Sequence, residues 1–338
     1  MTPIQFATYL HSQTAETSRS RTAINFTGFS LPYFDHVRAA LASQTSHYPS
    51  LPLSSVNFAL FRSVHTDTYL DALIQMATDQ IPFVQPELSP ECNGLEFCLP
   101  GYQASLGGLC VAIDQMKAGN LERAYCFSLG GHHAFPNRGH GYCLLNPLAA
   151  AIRYAQQQGF ARVLMIDWDI HHGDGTQAIF ANDSSVYCVS IHSAFDLYMA
   201  KMSGLADGTT SAAQVVGHCN IPVLDTRFPA DMPARLGLEG NFYRGEESIG
   251  VFANILASLP WKPDLICIFS GYDAHRDDCG RGITDWQTKD YQQLTQLVLN
   301  LAKVQDCPVL SVHGGGYTLE VAIEAAQCHI YTLATYRP

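Results

Sequence analysis

Five short stretches of this 338-residue chain bring His, Asp and Tyr together in patterns that can do chemistry. They read Gly-Gly-His132-His133, Asp167-Trp-Asp169-Ile-His171-His-Gly-Asp174, Ser190-Ile191-His192, Gly-Tyr-Asp273-Ala-His275 and His313-Gly-Gly-Gly-Tyr317. Asp169 and His171 are two residues apart, so both side chains can turn to one side at a strand end. Asp273 arrives from a different segment. Two carboxylates and one imidazole leave coordination positions open, as a catalytic metal site requires. Zinc or another divalent first-row ion suits such N/O ligands, and it activates water. His132 and His133 supply the base and the acid that amide hydrolysis needs. Asp167 and Asp174 are the carboxylates that can fix imidazole tautomers and raise their basicity. Tyr317 follows three glycines, so its backbone can approach closely and its phenol can polarise a carbonyl.

These residues need elements to hold them. Apolar, β-branched or aromatic runs over 124–129, 162–167, 186–191, 265–270 and 308–312 predict buried strands. Helical patterns fall between them, over 102–117, 147–158, 246–259 and 290–305. The alternation predicts an α/β fold, a single-domain open, mostly parallel sheet flanked by helices. Each candidate stretch directly follows one of the strands, and ligands in open α/β sheets bind outside the carboxyl ends of strands. The active site is therefore expected there. No repeat or linker divides residues 1–338, so one domain is expected.

Composition narrows the function classes. The net charge is −11, charged residues make up 14 % and no Lys/Arg run occurs. Phosphate backbones repel such a chain, which argues against direct nucleic-acid binding. Eleven cysteines, none in a C-x-x-C pair, fit small buried hydrophobes in a reducing compartment; Cys110, Cys126, Cys188 and Cys267 sit in apolar runs. The first ten residues lack a signal-peptide pattern and no run reaches the ~18 apolar residues of a membrane span. A cytoplasmic protein without a membrane partner is expected. The oligomeric state is left open, a homo-oligomer included.

The segments GGHHAFPNRGHGYCLLN, VLMIDWDIHHGDGTQAIF, FSGYDAHRDD and HGGGY resemble, in order and spacing, the histone deacetylase and acetylpolyamine amidohydrolase superfamily. The resemblance runs from Val64 to the C-terminus, with residues 1–63 divergent. It implies an arginase/deacetylase-like fold and one zinc ion per chain, held by Asp169, His171 and Asp273. It makes His132 and His133 the acid/base pair, backed by Asp167 and Asp174 respectively, and Tyr317 the transition-state donor. Gly141 and Tyr142 become one wall of a substrate tunnel, and Tyr198 and Met199 the opposite wall. A potassium ion beside the zinc would involve Asp167, Asp169, His171, Ser190 and Ile191. The implied substrate is an acylated amine, either acetyl-lysine in a protein or an acetylated polyamine or small amine.

The chain departs from the family pattern around the substrate entrance. After His192 it reads SAFDLYMAKMSG in place of an aromatic-Pro-Gly segment. Two rival readings remain. An arginase-like binuclear manganese hydrolase needs Asp where His132 stands. A pseudoenzyme that binds acyl-lysine without cleaving it would have lost a ligand, a dyad histidine or Tyr317. An esterase would need a G-x-S-x-G elbow, and none occurs. His65, His140, His218 and His329 are expected to be structural or surface residues.

Overall fold

Continuous apolar runs make the inner strands of this protein. In a computed structural model, which describes residues 4–12, 31–79, 92, 98–196, 201–203, 217–238 and 240–338, every residue of β3 (Val163–Asp167) and β8 (Leu265–Ser270) is buried. That is the signature of strands covered on both faces. The elements run in the order β1 (Ile4–Tyr9), α1 (Leu31–Gln44), α2 (Asp67–Asp79), α3 (Leu99–Lys117), β2 (Leu121–Cys126), α4 (Pro147–Gln157), β3, α5 (Asp174–Phe180), β4 (Val186–Ser193), β5 (Phe195–Asp196), β6 (Lys201–Met202), β7 (His218–Val223), α6 (Met232–Arg235), α7 (Gly245–Ala257), β8, α8 (Thr288–Gln305), β9 (Val309–His313) and α9 (Leu319–Thr335).

Seven strands form one open sheet in the order β1-β2-β9-β8-β3-β4-β7. The pairs β1/β2, β3/β4, β3/β8 and β4/β7 are parallel, which is the predicted fold class. A separate antiparallel pair, β5/β6, was not expected from the sequence. The strand expected over 124–129 lies three residues earlier, at β2. Its partner β1 ends at Tyr9, opposite Cys126, so the ladder stops there and the following residues are free to turn.

The chain divides into two compact units. The first comprises residues 1–160, 174–179 and 310–313. Here Asn146 caps α4, its Oδ1 accepting from Ala149 N at 2.9 Å, with Pro147 at the first helical position. Asn146 Nδ2 also donates to Thr176 Oγ1 at 2.9 Å, and Thr176 N donates to the His132 carbonyl at 2.9 Å. The first turn of α5 is thereby fastened to the loop that carries His132 and His133. His313 has a core role: its ring stacks on Phe127 with centroids 4.7 Å apart, and its Nδ1 lies 2.6 Å from Tyr125 Oη.

The second unit comprises residues 161–173, 180–309 and 314–338. Helices α8 and α9 pack together through the buried pair Thr295 Oγ1 and His329 Nδ1, 2.6 Å apart. At the sheet edge β7 carries Pro222, an edge position where the missing N–H costs no ladder bond. Tyr243 N donates to the Pro222 carbonyl, and Leu224 N donates to the Tyr243 carbonyl. Among the described residues, no helix is long and apolar enough to cross a membrane.

Candidate functional site

The metal-ligand candidates meet in the second unit. Strand β3 ends at Asp167, whose Oδ1 accepts from Asp169 N at 3.0 Å and turns the chain. Asp169 and Asp273 are buried, at 1 % and 0 % exposure. Each carboxylate is oriented by backbone amides. Ile170 N donates to Asp273 Oδ1 at 2.9 Å, and Gly315 N donates to Asp169 Oδ2 at 2.8 Å. His171 Nδ1 lies 2.9 Å from Asp273 Oδ2 and 3.1 Å from Asp169 Oδ1. One ligand atom from each of the three residues lies within 4.8 Å of the others.

Gly315 completes this cradle. A Cβ there would stand 2.5 Å from Asp169 Oδ2 and 2.8 Å from Asp273 Oδ2. Only glycine lets the chain pass so close to both carboxylates. The electrostatics point the same way. Burial, and then the charge of Asp169, push the Asp273 carboxyl up to about 7. Burial disfavours the charged His171 ring, yet its hydrogen bonds to Asp169 and Asp273 hold it well above its ordinary value. Two buried carboxylates beside an imidazole are a donor set suited to a divalent cation, so zinc fits these residues.

Tyr317 stands by this group, its ring centroid 5.9 Å from that of His171. Its position is set by Asp278, whose Oδ2 accepts from both Tyr317 N at 2.8 Å and Thr318 N at 2.7 Å. That clamp joins positions about forty residues apart, so no local pattern announces it. Asp167 pairs in register with Ser190 of β4, and Ser190 Oγ lies 2.8 Å from His192 Nδ1. Ile191 is buried on the same strand.

The first unit holds the acid/base candidates. His132 and His133 are buried, with ring centroids 4.0 Å apart. His133 Nδ1 lies 2.8 Å from Asp174 Oδ1. Burial alone would raise the Asp174 carboxyl, but its bond to His133 and the nearby His140 ring prevail and hold it well below the usual carboxylate range. Asp174 therefore stays ionised and accepts Nδ1–H, which leaves Nε2 of a neutral His133 as the proton acceptor.

His140 was expected to be a structural or surface residue, and it lies buried beside the dyad. It is 8 % exposed, and its Nδ1 lies 3.5 Å from Asp174 Oδ2. A two-residue turn places it there. His140 N donates to the Cys143 carbonyl at 3.0 Å and Cys143 N donates back at 2.9 Å. Between them Gly141 (φ 53) and Tyr142 (φ 61) take the left-handed pair of a type I′ turn. Gly141 was expected to leave room for a substrate stem. Gly141 packs against a candidate acid/base residue: a Cβ on it would stand 2.4 Å from His133 Cδ2. Tyr198 and Met199, the expected opposite tunnel wall, lie outside the described residues.

Comparison with known proteins gives the family. The chain is 31 % identical over 275 residues to the acetoin utilization protein AcuC of Bacillus subtilis, covering 79 % of this chain and 66 % of that protein. It is 29 % identical over 234 residues to type-2 histone deacetylase 2 of Dictyostelium discoideum, 66 % of this chain but 13 % of that much longer protein. It is 32 % identical over 194 residues to a probable deacetylase of Archaeoglobus fulgidus, 57 % of this chain and 49 % of the relative. The chain thus spans less than two thirds of several curated relatives. Its fold matches the crystal structure of the HDA15 HD domain with a TM-score of 0.76 at 22 % identity, covering 98 % of this chain and 89 % of that one. The family model of the histone deacetylase domain matches residues 34–333, and the chain belongs to the histone deacetylase family.

Proposed function

We propose that this protein is a zinc-dependent amidohydrolase that removes an acyl group, acetyl foremost, from an amine. The observation that carries the reading is the buried Asp169–His171–Asp273 group, with each carboxylate aligned by a backbone amide. Family membership supports it, since the matching domain is that of histone deacetylases. Asp169, His171 and Asp273 would hold the zinc, which when bound supplies a Lewis acid for the acyl carbonyl and for water.

The chain's own residues do the rest. Nε2 of His133 takes a proton from the attacking water while Asp174 stabilises the imidazolium that forms. The same proton passes to the departing amine as the C–N bond breaks, leaving a carboxylic acid and a free amine; the acid then gives its own proton to the amine, and the products separate as carboxylate and ammonium. His132 assists the transfer by His133. The Tyr317 hydroxyl donates to the carbonyl oxygen as it gains charge. Gly141 and Tyr142 form one wall of the acyl-amine channel. A potassium ion at Asp167, Asp169, His171, Ser190 and Ile191 would stiffen the metal-ligand segment; the register of Asp167 with Ser190 supports that assignment. All eleven cysteines are free and eight are buried, which supports a reducing, cytoplasmic setting.

The substrate is an acetyl-lysine side chain or an acetylated polyamine or small amine. Chelation is expected to abolish turnover and zinc to restore it. Comparing kcat/KM on acetyl-lysine peptides, N-acetylated polyamines and small N-acetyl amines then sets the substrate class. A folded protein carrying one zinc ion per chain with no turnover on any member of the panel would overturn the proposal.

Gly141→Ala tests the acid/base arrangement. The added methyl group meets the His133 ring, and the positive φ disfavours any Cβ. A ring displaced by about 1 Å costs roughly 10²-fold in kcat, with zinc content unchanged. Full activity in Gly141→Ala would remove His133 from proton transfer.

A further inference from the structure

A second group of donors lies in the first unit. One ring nitrogen each of His133 and His140 and a carboxylate oxygen of Asp174 all lie within 4.8 Å of one another. Their separations from Asp174 are 2.8 and 3.5 Å, close to the 2.9 and 3.1 Å found around His171. His140 Nδ1 is buried and makes no hydrogen bond within the described structure, although it stops just short of Asp174 Oδ2. A buried imidazole nitrogen in that position needs a partner. The side chains of His133, His140 and Asp174 keep 9 %, 10 % and 16 % exposure, so a small ion can reach them. Two neutral imidazoles and one carboxylate carry a net negative charge and suit zinc with positions left open.

We propose that His133, His140 and Asp174 form a second, weaker site for a divalent first-row ion, zinc foremost, and that its occupation silences the enzyme. The site is weaker because it offers one carboxylate against two, and because the ion must displace the Nδ1–H that His133 gives to Asp174. Proton balance explains the silencing. With the ion on Nδ1, the neutral His133 ring keeps its single proton on Nε2. No proton is gained or lost, but the nitrogen that should accept one from water already carries one. The inhibitory part rests on the proposed function; the binding part does not.

The test is a zinc titration of the metal-free protein by equilibrium dialysis, with turnover followed in parallel. Two ions per chain are expected, one tight and one weak. Activity should rise with the first equivalent and fall roughly 10²-fold as the second binds, the loss expected for disabling a general base. His140→Ala should bind one ion, and its rate should no longer fall in excess zinc relative to its own maximum. Asp273→Asn, which disrupts the other group, should keep only the weak ion. One ion per chain at saturating zinc, or a second ion that persists in His140→Ala, overturns the proposal. If His140→Ala fails to fold, the weak ion retained or missing in Asp273→Asn decides. If no substrate is turned over at all, the stoichiometry still decides the binding claim, and only the proposed function falls.

Discussion

Asp273→Asn is expected to lose its tightly bound zinc and its turnover together, with kcat/KM down by roughly 10³-fold or more, beyond the loss typical of one oxyanion donor. The amide keeps the shape of the carboxylate, and its oxygen can still accept from Ile170 N. What disappears is a negative charge that faces Asp169 and His171 inside a buried pocket. The same substitution carries a stability signature. In the metal-free protein the Asp273 carboxyl is raised to about 7, first by burial and then by Asp169. A raised carboxyl favours the folded state while protonated. That contribution is complete below the unfolded carboxyl's value, about 4, and is lost as pH climbs through about 7. Asparagine does not titrate, so the Tm of metal-free Asp273→Asn should overtake that of wild type above pH 7. Thermal melts of both proteins with chelator, from pH 5 to 8.5, check this. Parallel curves over the whole range would mean that the carboxyl is not perturbed, and metal analysis at pH 7.5 tests the ligand role separately.

Tyr317→Phe is the second large effect. It removes one hydroxyl and leaves the backbone clamp from Asp278 to Tyr317 N and Thr318 N in place. Zinc content and Tm should be unchanged. Because the phenol matters most when the carbonyl oxygen gains charge, kcat should fall by roughly 10²–10³-fold while KM moves little. A variant that loses affinity but keeps kcat would make Tyr317 a binding residue instead. Asp278→Ala makes a useful contrast: it keeps the hydroxyl and frees the two amides that hold its loop, so it should lower kcat less.

The chain wrote some of this plainly and some not at all. Strand β8 was readable because LICIFS is one apolar run closed by Gly271, and β3 because VLMID runs straight into Asp167-Trp168-Asp169. Strand β1 was missed, since IQFATY mixes polar and apolar residues near the start of the chain and shows its role only through pairing with β2. Helix α9 was missed because it begins two residues after the glycine-rich turn that drew attention. In the candidate site, the residue types of Asp169, His171 and Asp273 already suggested a cation. That backbone amides of Ile170 and Gly315 would aim the two carboxylates was not legible, because those bonds join segments more than a hundred residues apart. The place of His140 beside Asp174 was not legible for another reason. Gly-Tyr is a weak signal for a type I′ turn, since tyrosine rarely accepts a positive φ, and only that turn sets the ring beside Asp174.

The outermost strand β7 has a consequence for colloidal behaviour. A bare sheet edge is a template on which another chain can add a strand, the first step towards fibrils. Here Pro222 has no amide to offer a newcomer, its carbonyl is taken by Tyr243, and Tyr243 in turn receives Leu224 N. Growth by strand addition is closed along that stretch. Pro222→Val would restore the missing donor and should show first as a lower threshold for aggregation in concentrated solution, well before any change in catalysis.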